Sequence, residues 1–135
     1  MYRDMFLPYL KEVAEVITIP WLCHSDGNLL PLMDDWLSLG QTAINPIEPQ
    51  AMDIHYVKAN FGHRVCIVGN IDVDLLAQGT SDQVAEEVKK CIHDLAPGGE
   101  YILSSGNSIP SYAKPENVMA MSETFKQFRD YPIQI

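Results

Sequence analysis

Short apolar runs alternate along this chain with longer stretches whose apolar positions recur at helical spacing, and each short run ends in a cluster of polar residues. Between residues 4 and 17, Phe6, Leu10, Val13 and Ile17 share one face while Lys11, Glu12 and Glu15 fall elsewhere, the period of an amphipathic helix. Pro20 ends that pattern. Trp21-Leu22-Cys23 then reads as a buried strand that stops at His24-Ser25-Asp26-Gly27-Asn28. The run from Leu29 to Leu39 predicts a second helix with a broad apolar surface, and Gly40 stands where a left-handed cap belongs. Thr42 to Asn45 predicts the next strand, leaving through Pro46, Glu48 and Pro49. Asp53 predicts the N-cap of a helix running to about Phe61, closed by Gly62.

Arg64 to Val68 is the clearest strand, and it passes into Gly69-Asn70-Ile71-Asp72. Thr80-Ser81-Asp82-Gln83 has the form of a capping box for a helix with Val84, Val88, Ile92 and Leu95 inward and Glu86 paired with Lys90 at i,i+4. Gly98 and Gly99 end it. Tyr101-Ile102-Leu103 enters a fourth strand that exits through Ser104 to Pro110, and Pro115 opens a last helix carrying Val118, Met121, Phe125 and Phe128. The order α-β-α-β-α-β-α-β-α predicts an α/β domain of four βα units with parallel strands. Ligands of such sheets bind at the carboxyl ends of the strands, which places the polar clusters on one rim. Gly-Asn recurs at residues 27, 69 and 106, each time just past a strand.

Length and charge narrow the picture. At 135 residues the chain fits one domain, 1–135, and is too short for a closed eight-unit barrel, which takes about 250 residues. A net charge of -9 with nine scattered Lys and Arg argues against nucleic acid or an anionic membrane as partner. No apolar run approaches the roughly 18 residues of a membrane span and the amino terminus lacks a signal-peptide core, so a cytoplasmic location is expected. Cys23, Cys66 and Cys91 are odd in number and sit in apolar patterns, which predicts reduced thiols.

Among the rim residues, His24 and Asp26 lie two apart at a strand end, so an imidazole and a carboxylate reach one site, either as a divalent-metal pair or as a base with its partner. A histidine hydrogen-bonded in a polar loop is the plain alternative. Glu48 is a third metal candidate, or else a helix cap or a solvated side chain. Asn70 and Asp72 could bind a substrate hydroxyl or carboxylate, although Asp72 could equally cap the following helix. His55, His63 and His93 read as structural or solvated. Neither a glycine-rich phosphate loop nor a GxSxG elbow is present, which removes support for nucleotide binding and serine hydrolysis. A small flavodoxin-like open sheet is the alternative architecture at this length.

Several runs together, HSDGN at 24–28, GNID at 69–72 followed by Gly79-Thr80, and YILSSGNSIP at 101–110 followed by PENV at 115–118, resemble the uroporphyrinogen decarboxylase superfamily. That group also contains corrinoid-dependent methyltransferases, which move methyl groups between a cobalamin and a thiol. The resemblance implies a (βα)8 TIM barrel of which this chain corresponds to the carboxyl-terminal half. It implies a substrate-binding rim of Asn70, Asp72, Ser105 and Asn107 around catalytic His24 and Asp26, acting on a tetrapyrrole-linked or methylated small substrate. Corrinoid-linked methyl transfer is favoured over porphyrinogen decarboxylation, because the decarboxylase pattern has a histidine where Asn107 stands.

The methyltransferase branch binds zinc through His-x-Cys on one strand end and a Cys near the last, positions that fall here on His24, Asp26 and Asn107. A carboxylate and an amide in place of two thiolates make the site harder. A nitrogen-and-oxygen set of His24, Asp26 and Glu48 is the remaining candidate for zinc or another divalent metal, with a corrinoid as co-substrate. Four strands also leave two open sheet edges, which soluble proteins rarely expose. The expected partner is therefore a second copy or an amino-terminal half-barrel, and a non-catalytic half-barrel that pairs in this way is the alternative function.

Overall fold

The computed structural model describes residues 1–133. Four strands, β1 (Leu22–His24), β2 (Ala43–Asn45), β3 (Cys66–Ile71) and β4 (Tyr101–Ser105), form one sheet in the order β1-β2-β3-β4, every pair parallel. The helices are α1 (Tyr2–Met5), α2 (Leu7–Glu15), α3 (Met33–Leu37), α4 (Ile54–Phe61), α5 (Val73–Gln78), α6 (Ser81–Leu95) and α7 (Pro115–Phe128). Because successive strands are also spatial neighbours and parallel crossovers are right-handed, the connecting helices all cover the same face. A flavodoxin-like sheet reverses its strand order after the first strand, so this topology is a barrel arc and not a doubly wound sheet.

The register divides the sheet into two faces. Cys23, Ile44, Ile67 and Tyr101 align across the four strands, and their row turns toward the helices, where Ile44 and Ile67 are fully buried. The helices meet it with Val57 of α4, Leu76 of α5, and Val84, Val88 and Leu95 of α6, all in one apolar core. The opposite face is open. Leu22 remains 46% exposed and Ile102 51% exposed on it, although both are apolar.

Three elements differ from what the apolar pattern predicts. The helix expected over 4–17 breaks at Phe6 into α1 and α2, and its predicted inner face is largely outside the core: Phe6, Leu10 and Val13 are exposed while Leu7 is buried. The run from Leu29 to Leu39 opens with a 3-10 turn, Leu30–Leu32, and is α-helical only from Met33 to Leu37. Pro31 falls in that first turn, where its missing N–H costs no helical bond. Gly40 does take the left-handed conformation expected of it, with φ +80. Finally α5, six residues between the Asp72 cap and Gly79, was too short to show a period.

Candidate functional site

Parallel pairing sets the carboxyl end of β1 beside that of β2, with His24 opposite Asn45. The His24 Nδ1 lies 2.9 Å from Asn45 Oδ1, and the Asn45 carbonyl accepts from Ser25 N at 3.0 Å, so the second strand holds the first residue of the loop. On its other side, His24 Nε2 is 3.6 Å from Asp26 Oδ1, both side chains being about half exposed. Asp26 Oδ1 also accepts from Asn107 Nδ2 at 3.1 Å. His24, Asp26 and Asn107 therefore come together although 81 residues separate the last two. In a flat sheet β1 and β4 would stand three strand spacings apart, roughly 14 Å. Their loops touch because the sheet curls.

Backbone turns hold these side chains in place. Asn107 Oδ1 accepts from Ser108 N at 2.7 Å, and the buried Ser105 hydroxyl donates to the Asn107 carbonyl at 2.6 Å. Ser105 thus shapes the β4 exit and points its proton at backbone. Gly106 N donates to Ile71 O at 2.7 Å, tying this turn to the end of β3. Gly27 adopts φ +82, the left-handed region, and its N–H donates to Glu48 Oε2 at 2.7 Å. An apolar cleft of ≈250 Å³ walled by Trp21, Leu29 and Trp36 opens beside His24 and Ser25.

The remaining predicted residues lie elsewhere or do other work. Asp72 caps α5, accepting from Asp74 N at 2.8 Å, and Asn70 is buried with its Nδ2 donating to Ile47 O at 3.0 Å. Both border a separate cleft of ≈490 Å³ with His55, Glu87 and Lys90. His93 and His55 flank Asp94, whose carboxyl is held below the ordinary range chiefly by its hydrogen bond with His93. Cys23 and Cys66 are half-buried, Cys91 is buried, and all three are free thiols.

The donor set does not fit a metal. Among the described residues no group of three or more His, Cys, Asp or Glu is placed to hold an ion. Glu48, expected beside His24 and Asp26, gives its carboxylate to the Gly27 amide. Asn107 turns its NH₂, a donor, toward Asp26, while its oxygen is occupied by Ser108 N. What remains is one imidazole and one carboxylate, short of the three protein ligands of a catalytic zinc. The apolar pattern marks Asn45 only as the end of the second strand and gives it no partner. The signal that would have placed it beside His24 is parallel register across 21 residues, which no local pattern carries.

A TIM-barrel methyltransferase from Methanosarcina mazei has the same fold over this region, with a TM-score of 0.79 at 23% identity, covering 96% of this chain and 37% of that one. Methylcobamide:CoM methyltransferase MtbA of Methanosarcina acetivorans is 31% identical over 136 residues, 95% of this chain and 37% of that protein. A uroporphyrinogen decarboxylase of Shewanella halifaxensis is 25% identical over 123 residues, 85% of this chain and 33% of that protein. The chain thus spans about a third of the length of these curated relatives. The family model described as uroporphyrinogen decarboxylase (URO-D) matches residues 1–128. With nearly its whole length matched by that model, the chain belongs to the uroporphyrinogen decarboxylase family.

Proposed function

We propose that this domain forms the acceptor side of a methyl-transfer site, in which His24 takes the proton of a small thiol while Asp26 and Asn107 line the same rim. One observation carries the reading: His24 Nε2, Asp26 Oδ1 and Asn107 Nδ2 converge from the two edge strands at 3.6 and 3.1 Å. An imidazole beside a carboxylate is a proton acceptor whose charged form has a partner. His24 takes the thiol proton and leaves a thiolate; a methylated corrinoid, when bound as co-substrate, would supply the methyl group to that sulfur and would keep the electron pair of the bond that breaks. MtbA of Methanosarcina acetivorans, 31% identical, is by its name a methylcobamide:CoM methyltransferase, which favours this branch. The apolar cleft beside His24 supplies a wall for the carbon part of such a substrate.

The test is demethylation of methylcobalamin by coenzyme M, followed by its visible spectrum, in parallel with carboxyl loss from uroporphyrinogen. Methyl transfer that falls about 100-fold in His24→Ala, as for loss of a general base, supports the reading. Porphyrinogen decarboxylation without methyl transfer, or an undiminished rate in His24→Ala, overturns it. A second reading, a half-barrel whose role is to pair with a complementary half, is favoured by the exposed Leu22 and Ile102 on the uncovered sheet face.

A further inference from the structure

We propose that Asn45 is a positioning residue that holds neutral His24 as its Nδ1–H tautomer, so that the Nε2 lone pair faces the rim. The inference rests on His24 being the working group of the site, but its geometry stands independently. An amide side chain can face a ring nitrogen with either its oxygen or its NH₂, and the choice decides the tautomer. Here the second end of the amide settles it. Asn45 Nδ2 lies 3.5 Å from Val68 O, a main-chain acceptor. Turning the amide over would set the Asn45 oxygen against the Val68 carbonyl oxygen, two acceptors with no proton between them, and would turn the NH₂ to His24. Asn45 Oδ1 therefore faces His24 Nδ1 at 2.9 Å, a distance that calls for a proton on the ring nitrogen.

The consequence falls on the far side of the ring. With Nδ1 protonated, neutral His24 presents a lone pair at Nε2, and the nearest charged atom is the Asp26 carboxylate oxygen at 3.6 Å. Asp26 Oδ1 already has a donor in Asn107 Nδ2, so the Nε2 lone pair is the acceptor that a proton donor arriving beside it would meet. A substrate S–H, O–H or N–H group is drawn to that point, and on transfer the imidazolium gains Asp26 as counter-ion. Asn45 touches none of this directly. Its part is to exclude the opposite tautomer, in which Nε2 would already carry a proton and could accept none. A strand-end asparagine opposite the histidine in register does this through one bond to the ring and one to the next strand, so the ring plane is braced by both β2 and β3.

The tautomer is read directly from long-range proton–nitrogen correlation spectra of protein labelled with ¹⁵N-histidine, recorded without substrate at a pH where the ring is neutral. His24→Gln identifies the His24 signals among the four histidines. The expected wild-type pattern is a protonated Nδ1 and an unprotonated Nε2. Asn45→Asp, which keeps an acceptor oxygen, retains that pattern, whereas in Asn45→Leu the proton moves to Nε2 and the two nitrogen signals exchange character. An Nε2–H pattern in the wild type, or an unchanged pattern in Asn45→Leu, overturns the proposal. Should Asn45→Leu fail to fold, the wild-type and Asn45→Asp spectra decide alone, an Nε2–H pattern in either being contrary. A chain with the Nδ1–H pattern but no methyl transfer keeps this assignment and loses the functional reading; transfer through an Nε2–H ring does the reverse.

Discussion

Glu48 shows how much at the rim depends on a single carboxylate bound to backbone. Its Oε2 holds the Gly27 N–H at 2.7 Å inside a half-buried turn, and that turn carries Asp26. Glu48→Ala leaves the amide without its partner, so unfolding free energy should drop by about 1 to 2 kcal/mol in a urea titration, while Glu48→Gln, which can still accept, loses less. Away from the rim, burial pushes the Cys91 thiol up to about 11 from an ordinary 9.0, with Glu87 adding to it, and raises the Tyr101 phenol as well. The folded chain therefore binds these protons more tightly than the unfolded one. The stability they lend is whole below pH 9 and drains away as pH climbs from 9 toward 11, by about 3 kcal/mol for Cys91. Urea midpoints between pH 7 and 10.5 should fall in the wild type and fall less in Cys91→Ala; equal slopes would remove Cys91 as the cause. Tyr101 also donates its hydroxyl to Gly69 O at 2.6 Å, so its ionisation would break a bond at the centre of β3.

At the scale of elements, α6 begins with a capping box in which Gln83 N donates to Thr80 Oγ1 at 3.3 Å and Thr80 N to Gln83 Oε1 at 2.9 Å. Asn117, fully buried in α7, reaches the carbonyls of Leu76 and Gly79 at 3.0 Å each and accepts from the Ser81 hydroxyl. Thr80→Ala should cost about 1 kcal/mol. Asn117→Ala should cost more, about 2 kcal/mol, even though Lys114 still donates to both carbonyls, because its loss also leaves α5, α6 and α7 without their shared polar tie. Denaturant unfolding of both variants checks the order. The contrast explains what could be read in advance. Caps at Asp53 and Thr80 lie within three residues of their partners and were visible as patterns. The Asn117 tie spans up to 41 residues and belongs to tertiary structure. So does the fate of Phe6, Leu10 and Val13, whose helical period was real but whose burial depends on what packs beside α2. His24, Asp26 and Asn107 were legible because each ends a recognisable strand unit. The bonds of Glu48 to Gly27 and of Asn45 to His24 were not legible, because register and turn geometry set those partners.

At the scale of the whole molecule, sequential parallel strands leave β1 and β4, among the described residues, each with an unpaired edge and the inner face open. Ile102 tests whether that face is covered in solution. If it meets only water, Ile102→Lys should change stability by less than about 0.5 kcal/mol and leave the mass of the particle unchanged. If it lines the interior of a barrel closed by a second half, the same substitution should abolish association, read by light scattering at micromolar protein. None of the described helices is long and apolar enough to cross a membrane. The bond between Asp26 and Asn107 has a mechanical meaning within this frame. It joins the loops of the two outermost strands and so acts as the string of a bow whose limb is the four-stranded arc. A ligand that drew Asp26 to itself would release that tie, so the spacing of the β1 and β4 loops would then depend on what occupies the rim.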